Sequence, residues 1–143
     1  MALALFDSNI LIDALKGYEV ARRELMHYDD GAISAITWIE VVSGTHPAAR
    51  PEVMTFLADF ELQVIQTNET IMLEAANLRG ASLFTPPKIA LPDAIIIATG
   101  NVTGRLIITR NWKDFRGTNI RIPYELQTDN GATTAVNVLP FPD

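Results

Sequence analysis

The stretch "IALPDAIIIATG", residues 89–100, places one carboxylate, Asp93, at the start of an otherwise apolar run. Proline is favoured in the first turn of a helix, so Pro92 predicts a helix that begins there. An acid in that first turn interacts favourably with the helix dipole, which alone would account for Asp93. A functional role for Asp93 therefore requires other acids to meet it in the fold.

The segments around this run alternate between short apolar stretches and longer helical patterns. Such alternation is typical of an α/β fold, here a single domain with a central, mainly parallel sheet flanked by helices. A helix through YEVARRELMHYDDG is predicted to end near Gly31. The predicted strands, in chain order, are LALF (3–6), AISA (32–35), LQVIQT (62–67), RLIIT (105–109) and the weaker IRI (120–122).

Composition limits the cellular setting of the protein. The sequence has no cysteine, which excludes disulfides and thiolate metal sites and fits a reducing cytoplasm. The first residues, "MALALFDSN", lack a basic segment, so they do not predict a signal peptide. No stretch reaches the roughly 20 apolar residues of a membrane helix. We therefore expect a cytoplasmic protein that does not act at a membrane.

The charge distribution bears on nucleic acid as a partner. The formal net charge of -6 should repel a polyanion at long range. A local basic surface can still exist, because the segment 105–121 contains five of the 11 basic residues: Arg105, Arg110, Lys113, Arg116 and Arg121. Such a cluster can also be an ordinary solvated face.

Three further acids occupy positions that suit a site at one sheet edge. Asp7 follows the first strand, and the carboxyl ends of parallel strands are where ligands gather, although Asp7 can equally serve as a helix N-cap. Glu40 shares a narrow helical face with Thr37 on an otherwise apolar helix, so two placements stay open for Glu40: one with little solvent exposure, and one on a narrow surface stripe. Asp114 follows the strand RLIIT by a few residues, where an ordinary loop acid is the alternative.

Four carboxylates in one pocket need neutralising. Two of them about 4 Å apart repel by roughly 4 kcal/mol at an effective dielectric constant near 20. Either a proton is retained or a cation binds. Oxygen ligands without histidine or cysteine favour Mg²⁺ or Mn²⁺ over zinc. Asp93 on a buried helix would then be a rigidly held metal ligand.

Four segments in order, "FDSNILID", "SAITWIEVVSG", "LPDAIIIAT" and "LIITRNWKDF", resemble the PIN-domain family, and within it the VapC-type toxins of toxin–antitoxin pairs. The resemblance covers residues 3–122 and implies a metal-dependent endoribonuclease with a central parallel sheet. We accordingly divide the chain into a PIN-like nuclease domain, residues 1–122, and a C-terminal extension, residues 123–143. In the extension, Asp129-Asn130-Gly131 predicts a turn, with a hairpin returning through TTAVNV.

The resemblance also implies roles for individual residues. Its catalytic and metal-binding acids correspond to Asp7, Glu40, Asp93 and Asp114, with Mg²⁺ or Mn²⁺ as cofactor. Its supporting polar residues correspond to Asn9, Thr37, Thr109 and Asn111. Independently of the family, the side chains that flank Asp114 are predicted to meet RNA phosphates: Arg110, Lys113 and Arg116. Trp112 is a candidate to stack on an unpaired base, although we expect it to pack against the core or a dimer partner.

The partners implied by the resemblance are an RNA substrate, a small cognate antitoxin that covers the site, and a second copy of the chain in a homodimer. Two alternatives remain open. A phosphotransfer domain of the haloacid-dehalogenase or receiver type would phosphorylate Asp7, but a receiver needs a lysine where this chain has Thr109-Arg110. A non-catalytic PIN-like module would bind RNA or protein without cutting.

Overall fold

The structure, a computed structural model, describes residues 3–142. Over these residues no helix is both long and apolar enough to cross a bilayer. The elements, in chain order, are β1 Leu3–Phe6, α1 Ser8–Leu15, α2 Glu19–His27, β2 Asp30–Ser34, α3 Ala35–Ser43, a 3-10 helix Pro47–Ala49, α4 Arg50–Asp59, β3 Gln63–Ile65, α5 Glu69–Phe84, α6 Leu91–Thr103, β4 Leu106–Ile108, β5 Ile120–Arg121, β6 Glu125–Asp129 and β7 Ala132–Val136.

The central sheet has five strands in the order β3-β2-β1-β4-β5, and every neighbouring pair is parallel. The predicted α/β fold with a mainly parallel sheet is confirmed. The strands β2 and β3 lie on one side of β1, and β4 and β5 lie on the other, so the winding direction reverses between β1 and β4. In open α/β sheets, ligands bind at the carboxyl ends of the strands beside such a reversal.

Helices cover both faces of the sheet, as the alternation of side chains along β1 requires. Ala4 and Phe6 point into a core shared with α1, α2, α3 and α4. Leu5 points to the opposite face, where buried residues of α6 and the partly buried Leu78 of α5 pack. The result is a three-layer α/β/α arrangement in which β1 is buried on both sides.

Helix α6, which contains most of the stretch quoted above, packs tightly on β4. Its residues from Ile96 to Gly100 are all buried. A Cβ atom added to Gly100 would lie 2.4 Å from Cγ1 of Ile107, so only glycine permits this close approach. Pro92 lies in the first turn, as the sequence predicts. This close packing fixes the first turn of α6, and Asp93 with it, relative to the sheet.

The boundary between α2 and β2 differs from the sequence prediction. Helix α2 ends at His27 rather than near Gly31, and β2 occupies Asp30–Ser34 rather than residues 32–35. The ladder with β1 begins at Asp30, which extends the strand towards the N terminus. The Ser34 hydroxyl accepts a hydrogen bond from the Thr37 amide, so Ser34 caps α3 and ends the strand.

The last strands, β6 and β7, form an antiparallel hairpin separate from the central sheet. Asn130 and Gly131 connect them with φ angles of 52° and 79°, and two positive φ angles are the mark of a type I′ hairpin turn. Leu126 and Ala135 pack against the core that β1 shares with α1 and α2. The division of the chain at residue 122 stays a prediction.

Candidate active site

Asp7 directly follows β1, and its carboxylate is the most buried of the four predicted acids, with 6% of the residue exposed. Its Oδ1 accepts a hydrogen bond from the Ser8 amide at 2.7 Å, so Asp7 does cap α1. Its Oδ2 accepts from the Thr109 hydroxyl at 2.7 Å and from Asn9 Nδ2 at 3.1 Å. Burial raises the pKa of Asp7 above its ordinary value despite these three donors, and the charge of Glu40 adds to the rise.

Asn9 joins the ends of β1 and β4. Its amide nitrogen donates to Asp7 Oδ2 and lies 3.3 Å from the Thr109 hydroxyl. Its Oδ1 accepts from the backbone amide of Arg110 at 3.1 Å. The Thr109 hydroxyl in turn accepts from the Asn111 amide. These contacts hold the Asp7 carboxylate in one orientation at the switch point between the two strands.

Glu40 reaches the same edge from α3. The Ser8 hydroxyl donates to Glu40 Oε1 at 2.6 Å, which ties α3 to the start of α1. Glu40 is exposed, so of the two placements that the sequence leaves open it takes the surface stripe of α3. The buried positions of α3 are Thr37, Val41 and Val42, so Glu40 lies just outside the covered side of that helix. Thr37 contacts Ser34 through both its amide and its hydroxyl.

Asp93 shows most clearly that the acids converge. Burial raises its pKa from 3.8 to about 6, and the charges of Asp7, Asp114 and Glu40 each add to the rise. Asp93 lies in the first turn of α6, where the helix dipole favours a negative charge. Burial and the three like charges act against that favourable position. The four predicted acids therefore lie close enough for the charges of the other three to act on Asp93.

Asp114 lies on the exposed loop that follows β4. Its carboxylate accepts from Asn111 Nδ2 at 3.0 Å, and its amide donates to Asn111 Oδ1 at 3.3 Å. Asn111 itself is bonded to Thr109, so the loop is linked back to the strand end. The hydrogen bonds therefore place Asn111 as the support of Asp114, and Thr109 as the support of Asp7.

The donor set fits a hard divalent cation. All four acids offer only oxygen, which suits Mg²⁺ or Mn²⁺. A cation would also relieve the repulsion that raises the pKa of Asp93. Within residues 3–142 no three acidic or histidine side chains stand close enough to enclose an ion.

Comparison with known proteins identifies the fold family. The family model named PIN domain matches residues 4–119. The chain belongs to the PIN-domain family. It is similar to "Ribonuclease VapC10" of Mycobacterium tuberculosis H37Rv, with 33% identity over 112 residues that cover 76% of this chain and 83% of that protein.

Chains in several solved structures also resemble this PIN domain. The "Toxin-antitoxin complex from Klebsiella pneumoniae" contains a chain with 35% identity and a TM-score of 0.73, covering 85% of this chain and 98% of its own. A DNA-bound VapBC from Salmonella typhimurium has 22% identity and a TM-score of 0.70, covering 85% and 96%. The match of the PIN domain ends at residue 119, so the hairpin and tail lie beyond it.

The basic segment of this PIN domain is largely neutralised inside the protein. Three of its five cations form salt bridges: Arg105 with Asp30, Arg110 with Asp13, and Arg121 with Glu24. Within residues 3–142, Lys113 and Arg116 take part in no salt bridge. The predicted RNA contacts thus differ in kind, since the guanidinium of Arg110 is held by an internal acid.

Trp112 does not pack against the core. The residue is 53% exposed, and Lys113 Nζ lies 5.6 Å from the centre of its ring. It lies in the loop between β4 and β5, where the chain runs along the surface beside Asp114. The expectation of core packing was therefore wrong, while contact with a dimer partner stays a prediction.

Asp13, a buried acid that the sequence analysis did not identify, links Tyr124, just before the β6–β7 hairpin, to the site. Asp13 is 2% exposed, and Arg110 binds it through Nε at 2.6 Å and a second nitrogen at 3.1 Å. The Tyr124 hydroxyl donates to Asp13 Oδ2 at 2.6 Å. Because the Arg110 amide donates to Asn9, a chain of contacts runs from Tyr124 to the partner of Asp7. One signal was present, since Asn9 and Asp13 lie four residues apart on one face of α1.

A second buried triad, Tyr28, Glu24 and Arg121, has the same chemistry as Tyr124, Asp13 and Arg110 but lies elsewhere in the fold. The Tyr28 hydroxyl donates to Glu24 at 3.2 Å, and Arg121 binds both oxygens of Glu24 at 2.9 and 3.0 Å. Arg121 also donates to the backbone oxygens of Leu139 and Pro140 in the tail. None of these contacts involves the four predicted acids. The two triads therefore form a matched pair, of which only the first is bonded to Asn9.

Proposed function

We propose that this protein is a metal-dependent endoribonuclease and the toxin of a toxin–antitoxin pair. The observation that carries the proposal is the convergence of Asp7, Glu40, Asp93 and Asp114 at the switch point of a PIN-domain sheet. Similarity to a protein named "Ribonuclease VapC10" and to a chain of a toxin–antitoxin complex supports it.

Asp7 and Asp93 are the principal ligands of Mg²⁺ or Mn²⁺ in this proposal, with Glu40 and Asp114 completing the site directly or through water. A bound divalent cation supplies a Lewis acid for the phosphodiester and lowers the pKa of the attacking water. Hydrogen bonds hold three of these four carboxylates in place. Thr109 and Asn9 fix Asp7, Ser8 fixes Glu40, and Asn111 fixes Asp114.

The supporting residues act on position rather than on the phosphodiester. Thr109 is fully buried and donates to Asp7 Oδ2, so it holds that oxygen in place. Thr37 is also fully buried, and through Ser34 it forms the cap of α3, the helix that presents Glu40. Hydrolysis then needs no covalent intermediate on the protein. The PIN-family assignment also argues against the phosphotransfer alternative, in which Asp7 would be the nucleophile.

The partners follow from the same proposal. We infer that a small cognate antitoxin covers the acidic site, that the protein forms a homodimer, and that it acts in the cytoplasm, where its RNA substrate is found. Support for the antitoxin comes from the similar chains, since the Klebsiella structure is a toxin–antitoxin complex and the Salmonella structure is a VapBC assembly. Co-expression with the neighbouring reading frame, followed by size-exclusion chromatography, tests both the antitoxin and the dimer.

Cleavage of total RNA by the purified protein tests the proposed activity. Incubation with Mg²⁺ or Mn²⁺ should give discrete fragments, and a chelator should abolish them, because the four carboxylates need a cation to act on a phosphodiester. Fragments that persist in chelator would contradict the metal-dependent mechanism. If folded, antitoxin-free protein produced no fragments with either metal, the non-catalytic binding module would be favoured instead.

Substitution of Tyr124 by Phe tests the link between the hairpin segment and the site. Loss of a hydrogen bond to a buried, charged Asp13 is expected to cost about 1.5–3 kcal/mol of stability. Because Arg110 and Asn9 are bonded in sequence to Asp13, we also expect kcat for RNA cleavage to fall by about tenfold, the lower end for groups that support metal ligands. The KM for RNA should change little, since Tyr124 is buried.

The matched control is Tyr28→Phe, which removes the same kind of bond from the Glu24 triad. Its thermal unfolding midpoint should fall similarly, while kcat stays at the wild-type value. Equal loss of kcat in both variants would mean that Tyr124 acts only through stability. An unchanged kcat in Tyr124→Phe would remove it from the support of Asp7.

A further inference from the structure

A cavity of about 460 Å³ lies beside Asp114, between α5, α6 and the loop after β4. Its walls are mainly apolar and include Leu78, Ala81, Pro87, Ile89 and Ile97. The volume falls within the roughly 300–1,000 Å³ of typical ligand sites. The cavity therefore offers an apolar recess that opens next to one of the four acids.

The cavity is lined by the two cations of the segment 105–121 that take part in no salt bridge among the described residues. Lys113, Asp114 and Arg116 all line it. Lys113 and Arg116 are exposed, and within residues 3–142 neither enters a salt bridge. The other three cations of the basic segment are neutralised by internal acids. On an acidic protein, the uncompensated positive charge of this segment is thus concentrated where the recess meets the acidic site.

We propose that this cavity binds one unpaired nucleobase of the RNA substrate, next to the phosphodiester at the acidic site, with Lys113 and Arg116 contacting backbone phosphates. The inference rests on the proposed function and names the substrate feature that the site selects. The flat, largely apolar faces of a base suit the walls of the recess, and the polar side chains of Asn77 and Thr85 also line it. Only an unpaired base can leave its stack to enter, so the substrate is single-stranded or looped at this position.

Charge favours RNA over a protein segment as the occupant. An apolar peptide side chain would fill the recess without using Lys113 or Arg116. A polynucleotide uses both, because every nucleotide that enters the recess brings a phosphate with it.

Filling the recess tests the proposal. Ala81→Trp places a large side chain in the cavity wall, whereas Ala76→Trp changes an exposed residue of the same helix that does not line it. Both are made in Asp93→Asn protein so that RNA stays intact. The probe is a fluorescein-labelled single-stranded hexaribonucleotide of mixed sequence, together with six versions that each lack one base, and the readout is fluorescence anisotropy.

We expect one abasic position to weaken binding about tenfold in the parent, within the range measured for a stacked base. Ala81→Trp should bind the intact hexamer as weakly as the parent binds that abasic hexamer. Its affinity should not change further when the base is missing. Ala76→Trp should behave like the parent. An abasic penalty that survives in Ala81→Trp, or equal affinity of the two tryptophan variants, would overturn the proposal.

The phosphate contacts have their own test. Replacing Lys113 and Arg116 together by Gln should reduce the slope of log K against log salt concentration by about 1.4, from about 0.7 for each contact to a single strand. The control pair, Lys16→Gln with Arg23→Gln, removes two exposed cations outside the cavity and should leave the slope unchanged. An equal loss in both pairs would show general charge effects and contradict specific contacts.

Two further outcomes separate this inference from the proposed function. In the first, Ala81→Trp cleaves total RNA at the same positions and rates as wild-type protein. That result would leave the proposed nuclease function standing and would refute the base-binding cavity. Weaker binding of the cognate antitoxin by Ala81→Trp, with RNA binding unchanged, would show a protein-docking recess and would also refute it. Absence of any metal-dependent cleavage by wild-type protein would instead refute the proposed function.

Discussion

Replacing Asp93 by Asn is expected to lower the rate of RNA cleavage more than about 100-fold, since even groups outside the ligand shell of a metal typically contribute 10–100-fold. The carboxylate of Asp93 faces three other acids from a rigid helix, and an amide binds a divalent cation far less well. The fold should survive because the side chain stays the same size. Initial rates on total RNA, with circular dichroism as the check of folding, give the measurement.

Asp59→Asn is the matched control, because Asp59 is an exposed acid at the end of α4 and its replacement removes the same unit of charge. Its cleavage rate should equal that of the wild type. The same loss is expected in Asp7→Asn as in Asp93→Asn, although removal of a buried acceptor of three hydrogen bonds will also lower stability. Retention of more than a tenth of the rate in Asp93→Asn would remove it from the metal ligands.

Divalent metal should stabilise the wild-type fold and leave Asp93→Asn nearly unchanged. Ligand at a hundred times its Kd stabilises a protein by about 2.7 kcal/mol. For a chain of this size, such a gain raises the midpoint of thermal unfolding by roughly 8 °C. Differential scanning fluorimetry with Mg²⁺ or Mn²⁺, compared with chelator, measures the shift without any dependence on RNA.

Without metal the order of stability should reverse, with Asp93→Asn unfolding at a higher temperature than wild type. The pKa of Asp93 is raised to about 6, so the folded state favours the protonated acid and the ionised form at pH 7 is destabilising. A neutral amide removes that repulsion. A lower midpoint in metal-free Asp93→Asn, or equal metal shifts in both proteins, would contradict a cation site built on these acids.

The sequence predicted the parts of this fold whose residues carry a local signal. Pro92 and the apolar run behind it located α6. The quartet of acids was predicted as a site because each member stands at a strand end or on a helix next to one. The sequence left the exposure of Glu40 open, because the apolar residues of a nine-residue helix extend around most of its circumference and periodicity cannot identify the covered side. Only packing against α1 and α6 decides that side.

The contacts that sequence alone could not supply join residues about a hundred positions apart. Asp13 meets Tyr124, and Glu24 meets Arg121, through salt bridges and hydrogen bonds that depend on the finished tertiary structure. The same limit applies to the basic segment, whose contact with RNA stays a prediction. Its net charge is visible in the sequence, but the internal acids that neutralise Arg105, Arg110 and Arg121 are not.

The switch point between β1 and β4 also governs when activity can first arise during protein synthesis. Its two halves, Asp7 and Thr109, are about a hundred residues apart in the chain, and Tyr124 must follow before the Asp13 contacts are complete. A nascent chain on the ribosome therefore carries no assembled site until residue 124 has emerged, several seconds or more after translation begins at about 5–20 residues per second.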